Sequence, residues 1–300
     1  MSDFSVAALA STALAPRIWV ATLLLYGVLA LASLGAGRWT APGSALRLQI
    51  NAWWRIFPVV SLSMLLYPAG PMLLSLLIAG LAVRELSSHY AGPRARFQWV
   101  CAAVLVLQTA LALHSAAMAT ALLLALLLVQ AVVFGLRRQP AQMVLLLFLL
   151  LCAGLSFLPH LLQRSPMPTV NLAWFFYLFA VTALNDIAQF VCGKCFGRHR
   201  LAARVSPNKT WQGLAGGVLA SLAVSAALGG YLQLASLPLL LALGLLLSLA
   251  GVAGDLVFSA AKRRLGIKDF SQLIPGHGGI LDRVDSLVLT APLLYCGLML

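Results

Sequence analysis

The sequence predicts an all-α polytopic membrane helix bundle of about ten transmembrane spans, and three observations carry that prediction. Of the 300 residues, 62% are hydrophobic and only 9% are charged, where soluble domains carry about a quarter charged residues. Mean hydropathy is +0.97. The apolar residues also gather into blocks of the length a helix needs to cross a hydrocarbon core, roughly 20 residues.

Taken in order, the blocks place spans near 17–36, 97–114, 117–136, 142–162, 169–190, 213–233 and 236–258. Two shorter runs, 56–68 and 70–85, meet at Tyr67-Pro68-Ala69-Gly70-Pro71. Proline and glycine there break a helix, so the runs read as a tight hairpin of two spans rather than one kinked helix. A last block, 286–300, brings the total to about ten. The formal charge of +13 does not indicate nucleic acid, because the basic residues sit between apolar blocks instead of along one soluble face. Five cysteines scattered through apolar segments give no disulfide framework. No basic stretch precedes the first apolar block, so no cleavable secretory leader is expected.

Lysine and arginine favour the cytoplasmic side of a bilayer. With the first span entering from outside, 18 of the 20 basic residues fall inside, leaving only Arg17 and Arg164 outside. Two of the inner loops, 191–212 and 259–285, hold five basic residues each. The acids divide the chain further. Residues 1–168 contain only Asp3 and Glu85 and no recognisable motif, whereas the other five carboxylates lie within 186–285. Ionisable groups at membrane depth are costly and face polar cavities, so the chemistry is expected in 169–300.

Asp186 stands at the inner end of its span between Asn185 and Gln189, where it could equally be solvated by headgroups or paired with Lys194. Asp255 lies four residues before Ser259 in an apolar span, and a salt bridge to Lys262 or Arg263 is its plain alternative. Asp282 and Asp285 are three apart and would share a helix face. Acids so gathered supply hard oxygen ligands of the kind Mg²⁺ accepts while it bridges substrate phosphates. Pro275-Gly276-His277-Gly278-Gly279 allows a tight turn whose N–H groups could meet an anion, with His277 as proton carrier or phosphate donor. In the other basic loop, Ser206-Pro207 reads as a helix start, serine as N-cap and proline in the first turn. Lys209 and Thr210 at that turn would suit an anion. Gly213 and Gly217 form a G-x-x-x-G step that packs helices, and Cys192–Cys195 is an incidental C-x-x-C.

The run from Ser259 through Lys262-Arg263, Lys268-Asp269, His277-Gly278-Gly279 and Asp282-Arg283 to Asp285 resembles the signature of phosphatidate cytidylyltransferases, also called CDP-diglyceride synthases. Ser206-Pro207-Asn208-Lys209-Thr210-Trp211, with Gly213, is similar to that family's other basic loop. The resemblance is strong over 170–300, and the first half matches only as hydrophobic spans. It departs at Ala261, a packing position, and at Ile187-Ala188-Gln189-Phe190, which suggests a paralogous subgroup.

The resemblance implies condensation of CTP with phosphatidic acid or a related anionic lipid, giving CDP-diacylglycerol and pyrophosphate with Mg²⁺. It implies Asp255 and Asp282 as metal ligands with Asp285 and Asp186 as neighbours. Lys262, Arg263 and His277 are then expected in catalysis, and Ser206, Lys209, Thr210, Lys268, Gly278, Gly279 and Arg283 in substrate binding. The expected setting is a bacterial inner membrane with the site facing the cytoplasm, and a homodimer stays open. A CTP-dependent lipid kinase and an anionic-lipid transporter are the alternatives. On this reading Asp282→Asn should abolish transfer and spare the fold.

Overall fold

The computed structural model describes residues 2–41, 43–273 and 278–299. Its helices run α1 Ser2–Trp39, α2 Ala45–Leu65, α3 Ala69–Ser88, α4 Arg94–His114, α5 Ala116–Arg137 and α6 Pro140–Leu162. They continue as α7 Pro168–Phe196, α8 Trp211–Tyr231, α9 Leu237–Arg264, the short α10 Leu281–Val284 and α11 Leu287–Gly297. Each apolar block of the sequence forms one helix, although the last, 286–300, gives only the 11-residue α11, and the chain turns between α2 and α3 at the Pro-Gly segment. Among the described residues seven helices are long and apolar enough to cross a membrane. The fold is thus an all-α polytopic bundle.

Large apolar side chains on α1 and α5 point outward, among them Leu24, Leu31, Val129 and Leu136. A bilayer is the solvent that makes such a surface stable. α7 lies at the centre, packed on α1, α6, α8, α9 and α11, and its Trp174, Phe175, Phe176 and Tyr177 are buried. Hydroxyls and an amide tie it to its neighbours. Tyr177 Oη pairs with Ser225 Oγ, which also bonds the Leu240 carbonyl. Deeper toward the site, Asn185 Oδ1 accepts from Ser221 Oγ at 3.2 Å and from Ser248 Oγ at 2.7 Å. Interhelical hydrogen bonds of this kind contribute about 0.6 kcal/mol each in a bilayer, so their main effect is to fix the register of α7, α8 and α9.

The chain between α7 and α8 is not the helix start that Ser206-Pro207 suggested. Ser206–Thr210 is a strand, β2, paired antiparallel with β1 Arg200–Ala202. The N-cap is Thr210, whose hydroxyl accepts from Gly213 N at 3.0 Å. Gly213 then meets α7 so closely that a Cβ there would sit 2.8 Å from the Gln189 carbonyl oxygen and 3.2 Å from Gly193 Cα. Because both obstacles are backbone, Gly213→Ala should lower the thermal unfolding midpoint in detergent by the equivalent of about 1–3 kcal/mol of overpacking. An unchanged midpoint would mean that α7 and α8 re-seat freely.

At the far end of the bundle Arg17 donates to the Tyr231 carbonyl at 3.3 Å and Arg164 to the Leu298 carbonyl at 2.5 Å. The two basic residues set apart by their place in the sequence therefore cap helix ends there, away from the basic loops.

Candidate active site

Where α7, the β-hairpin and α9 converge lies a cavity of about 630 Å³, within the roughly 300–1,000 Å³ of small-molecule sites. Asp186 and Gln189 reach it from one face of α7, and Ser206, Asn208 and Lys209 reach it from β2. Asp255 and Lys262 enter from α9, and Asp269, Asp282, Arg283 and Asp285 from the segment that follows. The two basic loops of the sequence thus meet in one polar chamber.

Lys209 holds its centre. Its ammonium lies 2.7 Å from Asp255 Oδ2 and donates to Gln189 Oε1 at 3.4 Å. Asp255 Oδ1 accepts from Ser259 Oγ, one turn further along α9, at 3.0 Å. The partner of Asp255 therefore comes from the other basic loop, not from Lys262 or Arg263. Lys262 pairs instead with Asp282 Oδ1 at 2.6 Å, with side chains only 11% and 3% exposed. Asp282 Oδ2 accepts from Phe270 N at 3.1 Å and Gly279 N at 2.9 Å. Both of its oxygens are engaged, and it folds the connecting loop around itself. Gly278 takes φ +75° beside that carboxylate, a conformation glycine adopts without strain.

Asp186 and Asp285 differ. Asp186 Oδ1 accepts from Ser286 Oγ at 3.3 Å, and Asp285 Oδ1 from Ser286 N at 2.8 Å. Among the described residues their second oxygens take no hydrogen bond or ion pair. Burial holds the Asp285 carboxyl well above the usual carboxylate range, and Asp255 and then Asp186 push it in the same direction. Asp186, Asp255 and Asp285 therefore form a mutually repelling set, which a bound cation would relieve. Asp282 stands beside that set, neutralised by Lys262.

Of the other residues expected in the site, Arg263 and Lys268 stand outside its wall. Arg263 is exposed and donates to the carbonyls of Val205 at 3.1 Å and Ile267 at 3.5 Å, binding the hairpin to α9. Lys268 is exposed and absent from the cavity wall. Thr210 lines the cavity, but its hydroxyl is used as the α8 cap. His277 lies outside the described residues.

Glu85 was not expected in any role. Almost buried on α3, it accepts from Ser271 Oγ at 2.6 Å and Ile280 N at 2.8 Å through Oε1, and from Leu281 N at 3.1 Å through Oε2. His89 Nε2, just past α3, donates to the Phe270 carbonyl at 2.7 Å. The first half of the chain thus grips the loop that carries Asp282. The only sequence signal for this was the rarity of acids before residue 169.

A second, apolar groove of about 320 Å³ runs between α2, α3 and α7 and shares Asp186, Asp282 and Arg283 with the polar cavity. It continues into a recess of about 60 Å³, with Trp53, Ile56, Val60, Phe179 and Ala183 common to both, that reaches Met64 and Phe176. From Asp186 to Phe176 this path follows α7 for about 15 Å at 1.5 Å per residue.

A family model described as the cytidylyltransferase family matches residues 47–300. An uncharacterized protein of Escherichia coli K12, YnbB, is 45% identical over 143 residues, 46% of this chain and 48% of that protein. A phosphatidate cytidylyltransferase of Brucella suis is 44% identical over 150 residues, 48% of this chain and 53% of that protein. One from Staphylococcus aureus strain COL is 42% identical over 125 residues, 41% of this chain and 48% of that protein. The chain spans about half the length of the curated relatives it matches.

Proposed function

The chain belongs to the cytidylyltransferase family, and from that premise we propose that it transfers the cytidylyl group of CTP to phosphatidic acid or a closely related anionic lipid. An oxygen of the lipid phosphate attacks the α-phosphorus of CTP. The bond from that phosphorus to the bridging oxygen of the β-phosphate breaks, and pyrophosphate leaves. The observation that carries this reading is the junction of two chambers. A cavity of lysines and acids suits a nucleotide triphosphate, and at Asp186 and Arg283 it opens into an apolar groove suited to acyl chains.

Such a displacement needs positioning and charge neutralisation more than covalent help. Lys209 would exchange Asp255 for a phosphate oxygen, which frees the carboxylate, and Arg283 stands where the two substrates meet. The donor set fits Mg²⁺: hard carboxylate oxygens, among them the unpaired second oxygens of Asp186 and Asp285, with neither histidine nor cysteine among the lining residues. Among the described residues no three metal-binding side chains converge by themselves, in keeping with a cation that takes one or two carboxylates and completes its shell with phosphate and water. One or two of Asp186, Asp285 and Asp255 would hold it, Asp255 only once Lys209 has left it for phosphate, and Asp282 could take part only by releasing Lys262. When bound, the ion would supply positive charge against that of the phosphates. We place the protein in a bacterial inner membrane with the cavity on the cytoplasmic side, on the strength of the basic loops around it and the bacterial sources of its relatives.

With CTP labelled at the α-phosphorus, purified protein should pass label to the lipid. Label entering lipid only from the γ-position would make it a kinase. Lipid movement without CTP turnover would make it a transporter.

A further inference from the structure

The apolar groove contains a cation that neither the fold nor the nucleotide cavity uses. Arg55 lies on α2, in the groove wall with Val59, Leu77, Ile78 and Leu81. Among the described residues it has no hydrogen bond, ion pair or ring contact. Arg55 is exposed at the edge of this groove, so its free guanidinium is open to an anion whose apolar part lies against the leucine and valine beside it. The acids of this groove do not account for it. Asp282 is taken by Lys262 at 2.6 Å, and Asp186 makes no ion pair with Arg55. Arg283, in the wall of the same groove, also has no ion pair. Two exposed guanidinium groups without an ion pair therefore border one largely apolar channel, and Arg283 stands at its junction with the polar cavity. Further along α2 the wall is uncharged: Ile56, Val60 and Met64 lead into the recess.

We propose that Arg55 is a specificity-determining residue for the acceptor lipid: with Arg283 it receives the phosphate monoester of a diacyl lipid whose chains lie along α2 and α7. This rests on the cytidylyl-transfer reading and adds a role for the first half of the chain. The planar guanidinium fork matches a phosphate in two hydrogen bonds. An acceptor without the phosphate would gain nothing from it.

The test is steady-state kinetics of Arg55→Gln in detergent micelles with phosphatidic acid varied at saturating CTP, and the reverse. The expected result is a KM for phosphatidic acid raised roughly 10- to 100-fold, the range spanned by a lost charged hydrogen bond, with KM for CTP unchanged. Diacylglycerol, a competitor without phosphate, should inhibit wild type and variant equally. A raised KM for CTP would assign Arg55 to the nucleotide phosphates and overturn the proposal. An unchanged KM for the lipid would leave the residue a surface cation and do the same. If the glutamine variant does not purify in folded form, Arg55→Lys carries the comparison, with a several-fold rise in lipid KM alone expected and no rise overturning the proposal. Wild-type protein in the same assay separates the two readings, because absence of any cytidylyl transfer there defeats the proposed function and not the role of Arg55 within it.

Discussion

Asp282→Asn is expected to abolish most cytidylyl transfer and to lower the thermal unfolding midpoint as well, whereas the sequence alone expects the fold to be spared. The carboxylate binds Lys262 at 2.6 Å through one oxygen and the Phe270 and Gly279 amides through the other. An asparagine cannot satisfy both sides, since its NH₂ must face either an ammonium or two N–H groups. Lys262 is then left buried without a counter-charge, a loss of about 3–5 kcal/mol for a broken buried pair. The partner variant identifies the cause. In Asp282→Asn with Lys262→Met the orphaned charge is gone, so stability should recover beyond that of the single variant while transfer stays low. Raised Mg²⁺ should not restore turnover in the single variant, because the defect lies in the loop. An unchanged midpoint together with rescue by Mg²⁺ would return Asp282 to the metal-binding set beside Asp255.

The helices were legible because a bilayer imposes one simple rule, a block of apolar residues long enough to cross it; of about ten expected spans, seven helices among the described residues meet that rule by length and composition. The hairpin Arg200–Thr210 was not. Ser206-Pro207 is a good local start for a helix, but β2 is defined by pairing across a turn with β1, and that pairing has no periodic signature in three to five residues. The helix begins four residues after Pro207, at Trp211, under a threonine cap. Composition showed that acids and lysines share one end of the bundle, but not who pairs with whom. Lys209 reaches Asp255 across 46 positions of sequence, and Lys262, one of the alternative partners for Asp255, pairs with Asp282. Such exchanges depend on how α7, α8 and α9 are registered by Asn185 and its serines, which spacing along one helix does not encode. Glu85 is the extreme case, 195 residues before the amide it binds.

Glu85→Gln is therefore expected to cut turnover roughly 10- to 100-fold, the scale on which supporting partners of a metal or phosphate site act, although the residue lies in the half of the chain without a motif. The amide keeps the volume of the side chain but presents an NH₂ where the carboxylate accepts from Ser271, Ile280 and Leu281. At least one buried donor then loses its partner, at about 1–3 kcal/mol. The same loop supplies the Phe270 and Gly279 amides to Asp282, so a shift at Ile280 reaches the Lys262 pair directly. Amide hydrogen exchange at Ile280 and Leu281 should accelerate in the variant, whereas exchange within α8 should not. Glu85→Ala, which leaves every donor unpartnered and adds a void, should be worse in both respects. Slow exchange at those two amides with near-normal turnover would show that the loop holds its shape without α3, and that the first half of the chain contributes nothing to the chemistry through this contact.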